Sequence, residues 1–326
     1  MAITRRLNYY RRIFSAYLTP RKSQLTFWHD IPAVNPNSSV EELGEYYMPF
    51  TGKADYSGEY DRDSIPMLNY HGTVGLQYNP IAIAQYGLGN YNLYCRTEAP
   101  ERKERFLNAA NWLVEHMEET RHGTYVWNHH FDWEYRTLLK GPWYSGLAQG
   151  QGISLLIRAH KDTSDPKYLE SAEKALVALQ RDVQKGGAAI RDDHGYLWLE
   201  ESIVEPPTHI LNGFMWASWG IYDYYLHTKN QDALLLFNDS VRTLRDHLHL
   251  YDTGFWSLYE QSGTRMKMLA SPFYHALHIV QLQVMHAMTG DTIFAEFAQR
   301  WSKYRQHWLK RKWALAYKAV FKLLYY

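Results

Sequence analysis

The sequence predicts a mainly helical fold, an α/α toroid, on three observations. From about residue 100 onward, amphipathic stretches of roughly 15 to 20 residues follow one another across short turns: roughly 101–120, 145–161, 166–184, 209–228, 231–249, 272–289 and 292–310. Two of them, GLAQGQGISLLIRA and ILNGFMWASWGIYDYY, are apolar on nearly every face and carry small residues, the signature of helices enclosed by other elements. These alternate with more polar helices such as KYLESAEKALVALQRDV, which describes hairpins with one inner and one outer helix arranged around a centre.

In chain order, residues 1–100 are rich in Tyr, Asn, Pro and Gly, with one clear helix around NPIAIAQYGLGNYN. Most of this segment is expected to wrap the helical body, and the turn APERKE marks a boundary near residue 100. Residues 101–310 are expected to form the toroid and to carry any catalysis. Asp165-Pro166 supplies an N-cap followed by Pro at the first helical position, and Thr208, after Pro206-Pro207, is placed to cap the next inner helix. The stretch AAIRDDHGYLWLEES has turn signals and short extended runs, and predicts a small β-hairpin on the cleft rim. Residues 311–326 form a basic amphipathic tail.

Composition narrows the function. The 326 residues are 46% apolar and 21% charged, ordinary for a globular chain, but 16% are aromatic, with 27 Tyr and 12 Trp. Such rings form flat apolar platforms with polar edges on which sugars stack. Cys95 is the single cysteine, which excludes an internal disulfide framework and a Cys-based zinc site and fits a reducing, cytoplasmic compartment. No run reaches the roughly 18 apolar residues of a membrane span. Arginines 5, 6, 11 and 12 are followed by neither an apolar signal region nor a cleavage site, so no secretory signal is expected.

The net charge of +1 conceals an asymmetry. Residues 1–22 carry six Lys/Arg and residues 300–326 carry eight, neither with an acid, so all 34 acids lie between them against 21 of the 35 basic residues. In WLKRKWALAYKAVFKLLYY, helical phasing sets Arg311, Lys318 and Lys322 on one stripe and Trp313, Tyr317, Val320 and Leu324 on the opposite one. That pattern fits a helix in the interface of an anionic membrane surface, at the inner membrane, and equally a terminal helix docked on its own domain. No recognition motif accompanies the charge, so nucleic acid is not an expected partner.

Polar groups inside the apolar helices need partners. Gln149 and Gln151 in AQGQG, Asn212 in LNGF and Gln85 in AQYG all lie beside or near glycines, and each suits either a structural hydrogen bond or contact with a ligand. The acid and base candidates are Glu200, Glu201 and Glu205 on the rim loop, Tyr259 closing YDTGFWSLY, and Tyr274 with His275 in SPFYHALHIVQLQ. A phenol is a competent acid as it stands and a base only where its phenolate is stabilised. His129-His130 and the set His275, His278 and His286 lack an acid at ligating spacing, so no metal is expected. Without a GxGxxG, a phosphate loop or a nucleophile elbow, nucleotide and serine-hydrolase readings lose their support.

The stretches NPIAIAQYGLGNYN, GPWYSGLAQGQGISLLIRAH, EPPTHILNGFMWASWGIYDYY, LYDTGFWSLY and FYHALHIVQLQ resemble the C-terminal catalytic region of D-glucuronyl C5-epimerases, enzymes of heparosan and heparan-sulfate precursors. The resemblance implies an incomplete toroid, a uronic-acid-containing polysaccharide as substrate, inversion at C5 without cofactor, and a homodimer. By position, Glu201 resembles the family's rim-loop acid, Tyr259 its tyrosine after YDTG, and Tyr274 the tyrosine before its histidine, here His275. The expected substrate contacts are Tyr78, Gln85, Trp143, Tyr144, Gln149, Gln151, Glu205, Asn212, Arg265 and His275. Two positions depart from the family: Ser202 stands where a tyrosine is common, and Ser262 where an arginine is, with Arg265 on the same loop as a substitute. Other classes that fit are a polysaccharide lyase, an inverting glycosidase using Glu201 and Asp252, and an inactive glycan-binding homologue.

Overall fold

The computed structural model describes residues 27–28, 31–135 and 138–325. The basic run at residues 1–22 lies outside the described residues. Ten helices are labelled here: α1 (Thr51–Ala54), α2 (Pro80–Thr97), α3 (Pro100–Glu115), α4 (Gly146–Thr163), α5 (Pro166–Gln180), α6 (Leu211–Thr228), α7 (Gln231–His247), α8 (Pro272–Thr289), α9 (Thr292–Gln306) and α10 (Trp308–Tyr325).

Four antiparallel pairs, α2/α3, α4/α5, α6/α7 and α8/α9, place α2, α4, α6 and α8 side by side in that order on the inside. The architecture is an incomplete α/α toroid. Its inner helices are apolar all round because all sides are covered: every residue from Gly146 to Ala159 and from Leu211 to Ile221 is buried. Outer helices bury one stripe, as α7 does with Ala233, Leu236, Phe237, Ser240 and Leu244. The inner helices α4 and α6 touch backbone to backbone. A Cβ on Gly220 would lie 2.1 Å from the Gly150 carbonyl oxygen, so the small residues noted in the sequence are what let these two helices approach.

Five of the labelled helices start on a side-chain cap. Asn79 accepts from the Ile81 and Ala82 amides, Asp165 from Lys167, and Ser271 from Tyr274. Thr208 differs from expectation. Helix α6 begins three residues later, after Ile210 and with no side-chain cap. The carboxylate of Glu200 instead receives the Thr208 and His209 amides, at 3.4 and 3.1 Å, and the His209 imidazole. This holds His209 at a φ of 49°, with its carbonyl accepting from the Tyr251 hydroxyl at 2.6 Å. Several helices also end earlier than their periodicity suggests: α3 at Glu115, α5 at Gln180 before a 3-10 turn, and α9 at Gln306, where an extended His307 separates it from α10.

Residues 31–78 lie across the inner helices. A small antiparallel sheet joins Glu59–Tyr60, Pro66–Asn69 and Leu76–Tyr78, and Asn92 of α2 ties down the preceding stretch, accepting from the Tyr46 amide and donating to the Met48 carbonyl. A further tie is a buried ion pair. Arg158 of α4 meets Asp223 of α6 at 2.7 Å, both almost fully buried; Tyr47 donates to the same carboxylate and Arg158 donates to the Gly44 carbonyl. Two inner helices and the crossing segment are thus joined through one charged cluster. Among the described residues no helix is long and apolar enough to cross a membrane.

Candidate active site

The antiparallel hairpin Ala189–Arg191/Leu197–Leu199 ends directly at Glu200 and Glu201. Beyond the strand end the two neighbours part. Glu200 turns into the loop that supports His209, and Gly146 donates its amide to the Glu200 carbonyl at 2.8 Å. Glu201 instead lines a cavity of about 210 Å³ together with Asn212, Trp216, Tyr259, Tyr274 and Gln85. Its seat requires a glycine beneath it, since a Cβ on Gly213 would come within 2.3 Å of Glu201 Oε2. Glu205 is exposed, immediately before the Pro206 peptide.

Within the cavity, Asn212 Nδ2 donates to Glu201 Oε2 at 3.0 Å, and the Tyr259 hydroxyl donates to Oε1 at 3.5 Å. Burial pushes the Glu201 carboxyl up to about 8, against the opposing hydrogen bonds from Asn212 and Tyr259. A carboxyl so placed exchanges its proton near neutral pH, which suits acid–base chemistry. Tyr259 and Tyr274 meet edge to face with ring centroids 4.9 Å apart. Helix α6 presents Asn212 because its first turn is held from outside: the Leu211 amide donates to the Tyr259 carbonyl, and Gln281 Nε2 to the Asn212 carbonyl.

The rest of the wall is largely aromatic and carries one basic side chain. Phe131, Trp133 and Trp143 come from the excursion between α3 and α4, whose base is the pairing of Asn128–His129 with Trp143–Tyr144. Trp143 is stacked on His129 at 3.8 Å and donates its indole N–H to the Phe131 carbonyl. The excursion is also tied across the cleft, because the Tyr135 hydroxyl donates to Glu260, the neighbour of Tyr259. Among the described residues lining the cavity, Lys53 is the one basic side chain; its ammonium donates to the Phe27 carbonyl at 2.8 Å and lies 4.5 Å over the Phe27 ring.

Three buried polar atoms of cavity-lining residues have no hydrogen-bond partner among the described residues: Gln85 Oε1, Asn212 Oδ1 and Trp216 Nε1.

Of the residues expected from the sequence, the cavity gathers Glu201, Tyr259, Tyr274, Gln85, Trp143 and Asn212. The others stand elsewhere. Gln151 lies behind Gln85 and accepts from its amide at 2.9 Å; Gln149 is buried in α4 with neither amide atom partnered among the described residues. Tyr78 donates to Asp61 and Tyr144 to the Gly187 carbonyl. His275 is buried against Trp256, with Nδ1 2.7 Å from Ser257 Oγ, and Arg265 is exposed. Ser262, buried, contacts Thr264 at 3.1 Å. Asp252 faces Arg300 at 3.1 Å and does not line the cavity with Glu201, which removes the carboxyl pair an inverting glycosidase needs.

Sequence reasoning missed Lys53, Tyr70, Phe131, Trp133 and Trp216. A signal existed for two of them: FDWEY places an aromatic at every second residue, the alternation of a strand with one ring-bearing face.

Residues 118–303 match the family described as D-glucuronyl C5-epimerase C-terminus. This chain belongs to that family. The D-glucuronyl C5-epimerase C-terminal region here includes Glu201, Tyr259 and Tyr274 but not Lys53 or Gln85, which come from the preceding segment. The chain is 33% identical over 232 residues to the D-glucuronyl C5-epimerase of Caenorhabditis elegans, a match that spans 65% of this chain and 37% of that protein. It is 28% identical over 255 residues to an uncharacterized protein of Methanocaldococcus jannaschii, spanning 72% of this chain and 81% of that one. Among solved structures, the cellobiose 2-epimerase of Spirochaeta thermophila is similar with a TM-score of 0.52 at 11% identity, over 78% of this chain and 65% of that chain. A D-mannose isomerase is similar with a TM-score of 0.50 at 12% identity, over 85% and 65%. At these identities the two structures attest the toroid alone.

Proposed function

We propose that this protein is a uronyl C5-epimerase acting on a uronic-acid-containing polysaccharide, and that Glu201 and Tyr274 work on opposite faces of the sugar. The observation that carries the reading is the Glu201 carboxyl, raised to about 8 by burial, facing an aromatic cavity with Asn212 and Tyr259 hydrogen-bonded to it.

The hydrogen on C5 lies next to a carboxylate. Its removal breaks the C5–H bond and moves the electron pair into an enolate-like carboxylate, and inversion requires a proton from the other face. Each reacting oxygen must come within about 3–3.5 Å of C5, so two oxygens on opposite faces stand roughly 6–7 Å apart. Glu201 and Tyr259, 3.5 Å apart, therefore belong to one face. That leaves Tyr274 as the donor on the other. In this assignment ionised Glu201 takes the C5 proton, Tyr259 and Asn212 hold its carboxylate in place, and the Tyr274 phenol returns a proton. Lys53 brings positive charge to the wall for the charge that grows on the substrate carboxylate. Phe131, Trp133 and Trp143 offer the ring faces on which the sugar stacks.

Incubating heparosan-type and other uronate polymers with the protein in deuterated water tests this. Deuterium is expected at C5 of both epimers, without unsaturated chain ends that absorb ultraviolet light. Unsaturated ends would show a lyase, and binding to the polymers without label at C5 would show a glycan-binding protein.

A further inference from the structure

We propose that helix α10 docks this protein on a membrane surface rich in anionic lipid. Leu309, Trp313, Val320 and Leu324 recur at spacings of four, seven and four residues, one stripe of the helix, and are 53%, 62%, 47% and 62% exposed. The face turned to the body is a different one, made by Ala314, Tyr317 and Phe321. The helix therefore leaves this stripe uncovered, and Trp308 and Leu315, 65% and 58% exposed, add apolar surface elsewhere on it. An exposed Trp with basic neighbours is the composition of a helix lying in a membrane interface.

Charge selects the occupant. Every charged residue of α10 is basic, and residues 300–326 hold no acid, whereas all 34 acids lie between residues 22 and 300. An anionic bilayer attracts this helix and repels the body behind it, which fixes the orientation. A second copy seated on the same stripe would bring two sets of like charges together. A soluble polyanion would engage the lysines and arginines but leave Trp313 and its stripe in water. The helix is anchored to the loop that carries Tyr259: Lys318 donates to the Leu269 carbonyl, and the Met266 amide donates to the Tyr325 hydroxyl at 3.2 Å. Docking thus sets the cavity at a fixed height and angle over the surface. The proposal does not rest on the epimerase reading.

Vesicle flotation of the full chain tests it, with vesicles of equimolar phosphatidylglycerol and phosphatidylcholine against phosphatidylcholine alone. The parent is expected to float with the first and not the second, and to be released by about 0.5 M salt, where screening is short-ranged. The double variant Trp313→Ser/Val320→Ser changes exposed positions only. It is expected to keep the parental Tm and retention on an immobilised sulfated polyanion while losing about tenfold or more of its vesicle binding. Equal flotation of parent and variant would overturn the proposal. So would no flotation of the parent, or a parental self-association that the variant abolishes, which would assign the stripe to a second copy.

Discussion

Glu201→Gln lowers the rate of C5 inversion by roughly 10²–10⁴-fold, the scale of one proton-transfer group, and at the same time stabilises the protein above pH 5. The two effects share a cause. A glutamate in the unfolded chain gives up its proton near pH 4.5, whereas burial holds the folded carboxyl to about 8. Between those values the folded state keeps a proton that the unfolded state has released, so each rise in pH costs stability. Glutamine does not titrate, yet its side-chain oxygen still accepts from Asn212. The stability of the variant relative to the parent therefore increases from about pH 5 to pH 8, approaching about 2 kcal/mol once contact with the cavity is allowed for. For the parent, kcat/KM rises with pH and levels off near 8, as ionised Glu201 becomes the major form. Thermal melts and rate profiles across that range check both. A Tm difference that does not change with pH would show that Glu201 is not the buried titrating group.

Asp223→Ala destabilises the fold by about 3–5 kcal/mol, because it strands the Arg158 guanidinium in the interior. At this chain length that lowers Tm by roughly 4–7 °C. The carboxylate is shared by Arg158 and Tyr47, so α4, α6 and the crossing segment loosen together. The second variant that makes the argument specific is Asp223→Ala/Arg158→Met. Removing both charges is expected to recover part of the loss, since the penalty lies in the uncompensated ion. A double variant less stable than the single one would locate the cost in packing around the pair. Melting curves of the three proteins decide it.

The helical hairpins were legible because their signal is local. Apolar runs such as GLAQGQGISLLIRA are enclosed, KYLESAEKALVALQRDV is not, and Asp165-Pro166 caps where it stands. Roles set by distant partners were not. LEESIVEPPTH shows three acids with no means of ranking them, and only the folded chain shows that Glu200 takes the Thr208 and His209 amides, that Glu205 is exposed, and that Glu201 lines the cavity. The same holds for Lys53, which reaches the cavity from a segment whose sequence carries few periodic cues. The positions of Ser202 and Ser262 are a related case. Both are buried, and the cation on the cavity wall comes from Lys53 and not from the loop that follows Tyr259.

The assignment of Glu201 and Tyr274 to opposite faces is tested most directly by loss of label from C5. Polymers carrying deuterium at C5, one in glucuronate and one in iduronate residues, are incubated in ordinary water with the parent, Glu201→Gln and Tyr274→Phe. The parent should wash label from both epimers. Each variant should retain wash-out from one epimer and lose it from the other, with the two variants failing on different epimers. Failure of both variants on the same epimer would contradict the account.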